Sequence, residues 1–322
     1  MKFILSFFLF TLIILGFFTA LVTTVDPYSK LGNNPWGFVT KAVAQSRENK
    51  FIMLENSKTK YEAYILGSSA AHRFPTKTVK EITGFETFNY SAQHTTPEDY
   101  LAMLRHIMSK GTPKLIMLQI GFVELDQNYK TDNRLYNSSL AKYLREQTKP
   151  KTLFDNNYFT LDAIRDSFRV IYVNKWGEAL HSKYTEHGNY EYEKQTDTQV
   201  KLQQSSYAGW ELDTNRLDVL KQIFDLCEKH NTRLILFTAP LAYDHFEIAV
   251  THPKYPEYIK SLNKVFGGFW NFHTESIKNY SSYKEFHNST HMTHEFSDLL
   301  LRRILTGKPE DLGEYVSPQK NN

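Results

Sequence analysis

The chain has a single cysteine, Cys227, among 322 residues. No intrachain disulfide can form, so a domain of this size must hold its core without covalent staples. Cys227 closes the run Leu220-Lys-Gln-Ile-Phe-Asp-Leu-Cys227, which has amphipathic helical spacing. It reads as a packing residue rather than a nucleophile. Charge of one sign is also scarce: 38 Lys and Arg stand against 35 Asp and Glu, a net charge of only +3. Nucleic-acid binding as the main task calls for a strongly basic surface and is not supported. Long hydrophobic runs are few enough that the mean hydropathy is −0.47, which excludes a polytopic membrane protein. There is no internal repeat and no low-complexity linker. Aromatic residues, at 15%, argue against disorder.

What is present is unevenly spread. From Phe3 to Val25 there is no charged residue, and Lys2 is the only charge before that run. About 20 apolar residues match the hydrocarbon thickness of a bilayer. A cleaved signal peptide has a shorter apolar core and a small-x-small cleavage site. Phe18-Thr19-Ala20 puts a phenylalanine where a small residue is wanted. The run reads as a single transmembrane anchor in the cytoplasmic membrane, with a cleaved export signal or a buried core helix as alternatives. Lys2 and the amino terminus favour an inside tail and an extracytoplasmic body.

The body alternates strands and helices. Residues 26–60 read as a juxtamembrane connector ending in a helix near Asn56. Tyr64–Leu66, Thr87–Tyr90, Leu115–Ile120 and Arg233–Thr238 read as buried strands. Pro97–Ser109, Leu212–His230 and Phe296–Leu305 have helical spacing. This alternation predicts an α/β sandwich around a mainly parallel sheet, over residues 61–310. A C-terminal tail follows, residues 311–322. Residues 124–210 break the pattern, with helices expected at Ser139–Glu146 and Leu161–Val173. Such an insertion is either a lid or substrate-binding subdomain, or a solvated decoration.

Two segments could carry chemistry. Leu66-Gly67-Ser68-Ser69 ends the first strand. In open α/β sheets ligands bind beyond the carboxyl ends of strands. A serine on a tight turn there is accessible, and its own N–H can help hold an oxyanion. Gly-Ser-Ser is also a common turn sequence. Far along the chain lies Phe286-His287-Asn288-Ser289-Thr290-His291. A serine hydroxyl needs a base, and histidine suits the role when an acceptor fixes its tautomer. His287, His291 and His294 could instead be metal ligands, although no cysteine supports them. His72 and Arg73 follow the serine and are either solvated residues or contacts for an anionic or glycan substrate. The tyrosines between Tyr184 and Tyr192 could stack on sugar rings or serve in packing.

Taken in order, these blocks resemble the SGNH (GDSL-like) hydrolase superfamily. The resemblance is nearest to its membrane-anchored, exported branch, which includes alginate acetylation and teichoic-acid D-alanylation proteins. After the anchor and Asp26-Pro27-Tyr28, Tyr64-Ile-Leu-Gly-Ser-Ser69 is similar to the first block, whose last serine is the nucleophile. Phe88-Asn89-Tyr90-Ser91-Ala92 falls at the second block, and Ile116–Phe122 at the strand leading to the third. Phe269-Trp270-Asn271-Phe272 and Asn288-Ser-Thr-His291 fall at the closing blocks. The resemblance implies a three-layer α/β/α sandwich of SGNH/flavodoxin-like type and a serine esterase or O-acyltransferase without cofactor. Ser69 would be the nucleophile, His291 the base and Asn288 its orienting group. Ser68, Asn89, Ser91, His72 and Arg73 would bind oxyanion or substrate. The implied partners are a cell-envelope polysaccharide or acyl donor, the membrane and a membrane acyl-transfer protein.

The chain also departs from the family pattern. Asn271 and Asn288 stand where the family has aspartates, and Phe122-Val-Glu-Leu-Asp126 replaces the third-block asparagine. An asparagine can orient a histidine but cannot stabilise an imidazolium by charge. A protein that keeps the fold without the chemistry, serving as a glycan-binding or assembly factor, is the second reading.

Overall fold

The computed structural model describes residues 2–27, 35–36, 46–132, 135, 139–144, 160–176, 184–190, 207, 209–280, 286–288 and 290–318. The first half of the chain contributes α1 (Lys2–Val25), α2 (Ser46–Asn56), β1 (Ala63–Leu66), α3 (Thr76–Thr83), β2 (Thr87–Asn89), α4 (Pro97–Lys110) and β3 (Leu115–Gln119). The second half contributes α5 (Leu161–Trp176), α6 (Thr214–Lys229), β4 (Arg233–Phe237), α7 (Tyr243–Val250), α8 (Tyr255–Phe266) and β5 (Phe269–Asn271). It ends with β6 (Phe286–Asn288), β7 (His291–Met292), α9 (His294–Thr306) and β8 (Glu314–Val316). These residues form two compact units, 1–49 with 133–182 and 50–132 with 183–322.

The first unit is built on α1. Its 24 residues are about 36 Å long at 1.5 Å per residue, enough to cross a bilayer core of about 30 Å. Nearly all of the helix is exposed apolar surface. Among the described residues its last turns pack within the unit, with Val22 on Ala163 and Ile164, and Val25 and Leu21 on Val170 and Ile171. The helix expected at Ser139–Glu146 is a 3-10 turn over Ser139–Tyr143, and 145–150 lie outside the described residues.

The second unit is organised by a six-stranded sheet in the order β2-β1-β3-β4-β5-β8. The first five strands are parallel, and β8 pairs antiparallel with β5. β1 and β3 read Ala-Tyr-Ile-Leu and Leu-Ile-Met-Leu-Gln and are buried at every position, as strands covered on both faces must be. The helices start where the sequence supplies caps. Thr96 and Asp99 form a capping box ahead of Pro97 on α4, and Asp213 and Thr293 cap α6 and α9. α3 packs with α9, while α4, α6 and α8 pack in series. β8 lies in the stretch read from sequence as a tail, where Trp270 of β5 pairs with Tyr315.

The strand order reverses between β1 and β3: the chain goes one way from β1 to β2 and the other way from β3 to β5. In parallel sheets the carboxyl ends of the strands at such a reversal border the ligand crevice. Ser68 and Ser69 follow β1 at that point, and Gln119 ends β3.

Candidate active site

Ser69 opens a 3-10 turn, Ser69–Ala71, directly beyond β1. The turn is sharp because the preceding Gly67 has no side chain. A Cβ at Gly67 would lie 2.8 Å from both Ala71 Cβ and Gln119 Oε1, closer than packed atoms tolerate. Ala71 and Phe74 then enter the core, which fixes the turn from below.

His291 reaches this turn through a β-hairpin. β6 and β7 pair antiparallel with Asn288 opposite His291. Phe286 and Met292 point into the same core as Ala71, Phe74 and Phe296, and burying each of these side chains contributes about 1.5–3 kcal/mol. Side chains alternate along a strand, so anchoring Met292 inward turns its neighbour His291 outward. Its Nε2 lies 2.9 Å from Ser69 Oγ.

The His291 imidazole is held neutral. Burial first, then the positive charge of Arg73 and the neighbouring His287 and His94, push its pKa down to about 4. Nδ1 lies 3.4 Å from Thr290 Oγ1. With the proton on Nδ1, Nε2 accepts from the Ser69 hydroxyl, the direction needed for a base. The Asn288 side chain lies outside the described residues; its backbone position is opposite the base.

A cavity of about 220 Å³ adjoins the pair. Ser68 and Ala70 border it on either side of Ser69, and Thr290 borders it beside His291. Phe122, Ala239 and Leu241 give it apolar lining, and Tyr207, His245 and His273 line it as well. His273 is neutral as well, its pKa lowered to about 4 chiefly by burial. Its Nε2–H donates to Ala239 O at 2.8 Å, and Tyr255 O–H donates to Nδ1 at 3.0 Å.

A polar layer not anticipated from the sequence lies beneath Ser69. Gln119 Oε1 accepts from Ser68 N at 2.8 Å and Ser68 Oγ at 2.9 Å. Glu124 is buried and accepts from Gly121 N at 3.1 Å and Tyr100 O–H at 2.8 Å. Burial raises its pKa, opposed by these hydrogen bonds. The available signal was a lone glutamine at the carboxyl end of an otherwise apolar strand.

The remaining anticipated site residues do other work. Asn89 and Ser91 are fully buried. Asn89 Nδ2 donates to Ala71 O, His72 O and Phe74 O at 2.8, 3.3 and 3.2 Å. Its Oδ1 accepts from Ser91 N at 3.1 Å and Ser91 Oγ at 2.5 Å. The buried Lys50 Nζ reaches both residues at 3.4 Å. Asn89 and Ser91 therefore lock the turn that follows Ser69, and the Ser91 amide is committed to Asn89. His72 is buried among the rings of Tyr184 and Tyr190, and Arg73 stacks over Tyr190. Tyr184 is thus a packing residue, and Tyr192 lies outside the described residues. His294 Nδ1 lies 3.2 Å from Arg73 O. Among the described residues no group of three or more His, Cys, Asp or Glu is placed to hold a metal.

No family model and no curated protein matches this chain.

Proposed function

We propose that the protein is a membrane-anchored, extracytoplasmic serine esterase or O-acyltransferase of SGNH type, acting on acyl groups of a cell-envelope polysaccharide. The observation that carries this reading is the 2.9 Å contact between Ser69 Oγ and a neutral His291 at the carboxyl end of β1. Strand order and the grouping of α3 with α9, apart from α4, α6 and α8, favour a three-layer sandwich. The apolar α1, packed on α5 by its last turns, favours a retained span over a cleaved signal.

In this mechanism Ser69 Oγ attacks the acyl carbonyl while His291 Nε2 takes its proton. The Ser69 N–H serves as a donor for the developing oxyanion. The acyl chain lies along the cavity beside Phe122 and Leu241. The leaving oxygen takes the proton back from His291, and an acyl-serine remains. Water, or a sugar hydroxyl activated by the same imidazole, then releases or accepts the acyl group. No cofactor is required.

The assembly-factor reading rests on a different observation. The Ser68 and Gly121 amides are engaged by Gln119 and Glu124, and Asn288 replaces a carboxylate. Labelling of the full chain with a fluorophosphonate separates the two. An enzyme labels stoichiometrically at Ser69 and hydrolyses an acetyl ester; an inert fold does neither. Asn288→Asp should raise ester turnover by about tenfold or more if His291 is the base, since a charged partner stabilises the imidazolium. A binder gains nothing from that change.

A further inference from the structure

We propose that α5 is a second membrane contact, a helix lying in the bilayer surface beside the end of α1. This inference rests on reading α1 as a retained membrane span. At about 100° per residue, positions 161, 165, 168, 172 and 176 fall within about 80° of arc on α5. Leu161, Phe168, Tyr172 and Trp176 on that stripe are 84, 48, 62 and 68% exposed. The opposite face, Ala163, Ser167 and Val170, is buried, partly against Val22 and Val25 of α1.

The chemistry of the exposed face fits lipid headgroups. Arg169 and Lys175 flank the stripe and Arg165 lies within it, all three exposed. Asp166 is buried, so the described side chains of α5 expose cations and aromatics but no acid. Lys175 sits over the Trp176 ring, and Tyr172 and Trp176 are in ring contact. Aromatic rings with a polar edge, bordered by Lys and Arg, concentrate at membrane–water interfaces and on helices that lie in them. The occupant is set by continuity. α5 touches the last turns of α1, where Phe17 and the preceding residues expose apolar surface of their own. Wherever α1 leaves the hydrocarbon, α5 is within a helix diameter of the headgroups. A leaflet with anionic lipid covers the stripe and neutralises its cations.

The test uses the full chain in vesicles of phosphatidylcholine and phosphatidylglycerol. Cys227 is 1% exposed, so a cysteine introduced by Tyr172→Cys or, separately, Phe168→Cys takes an environment-sensitive fluorophore selectively. Leu12→Cys, near the middle of α1, reports on the span and is read with nitroxide lipids labelled deep in the acyl chain. With headgroup-region nitroxide lipids, the α5 labels should be quenched about twofold or more and shielded from iodide. A quenched Leu12 label with unquenched α5 labels overturns the in-plane helix and leaves the anchor standing. Shielding from iodide without lipid quenching also overturns it, and assigns the face to another protein. Unquenched labels at all three positions overturn the retained span and this inference with it.

Discussion

Two turns follow neighbouring parallel strands, and they are used in opposite ways. Beyond β1 come Ser68 and Ser69; Asn89 ends β2 and Ser91 follows it. Both are short polar turns at the carboxyl edge of the same sheet. At the first, Ser69 is partly exposed and faces His291, and its neighbours Ser68 and Ala70 border a cavity. At the second, every named polar group is buried and hydrogen-bonded internally. The second turn holds the first, because Asn89 ties down the carbonyls of Ala71, His72 and Phe74. Reactivity needs a group left accessible beside a partner; rigidity needs groups with no capacity to spare. Neighbouring strand ends divide these tasks.

Four measurements bear on that division. Ser69→Ala should lower acetyl-ester turnover by at least about 10³-fold while leaving the urea midpoint unchanged. A large stability loss in this variant would make the two turns alike. Asn89→Ala should do the reverse, destabilising by about 3 kcal/mol in urea denaturation, because it strips buried carbonyls of their donor. If turnover collapses at unchanged stability instead, Asn89 belongs to the reacting site. The third effect is of pH. His291 acts as base only when neutral, and its pKa lies near 4. Fluorophosphonate labelling should be flat from pH 8 to about 5.5, then fall about tenfold per pH unit below 4. The same lowered pKa means the unfolded chain binds the proton more readily, so stability declines as pH falls from 6.5 toward 4. Smallest is Ser91→Ala, expected to cost about 1 kcal/mol, since Asn89 Oδ1 keeps the Ser91 amide as a donor. A turnover defect exceeding that stability loss would break the comparison at its weakest point.

The sequence made the sheet legible because its strands are uninterrupted apolar runs. Tyr64–Leu66, Leu115–Ile120 and Arg233–Thr238 each became a strand within a residue of the expected bounds. β8 was not legible, since a three-residue edge strand with no buried position carries no burial pattern. The Ser69 and His291 turns could be read because each type has a known use at a strand end. Their contact could not be read, since it depends on where Phe286 and Met292 find the core. The sequence places Asn89 and Ser91 at the substrate, whereas the structure buries both in internal hydrogen bonds: a saturated amide and a substrate-binding amide have the same letter. Gln119 and Glu124 were missed because a polar residue at the end of an apolar strand, or in the 3-10 turn after it, acquires meaning only once its neighbours in the fold are known.

The pair Ser69 and His291 is separated by 222 positions in the chain. A growing polypeptide that has emerged as far as β4 already contains Ser69 and most of the sheet, but not His291. Strands β1 to β4 can therefore pair, and the turn at Gly67 can form, while Ser69 remains an ordinary alcohol. Under the proposed mechanism reactivity arrives only when the β6–β7 hairpin docks, after the first four strands have been made, rather than as a property of the folding core. A chain carried across a membrane before that hairpin docks would be chemically silent throughout the journey and would become reactive only at its destination.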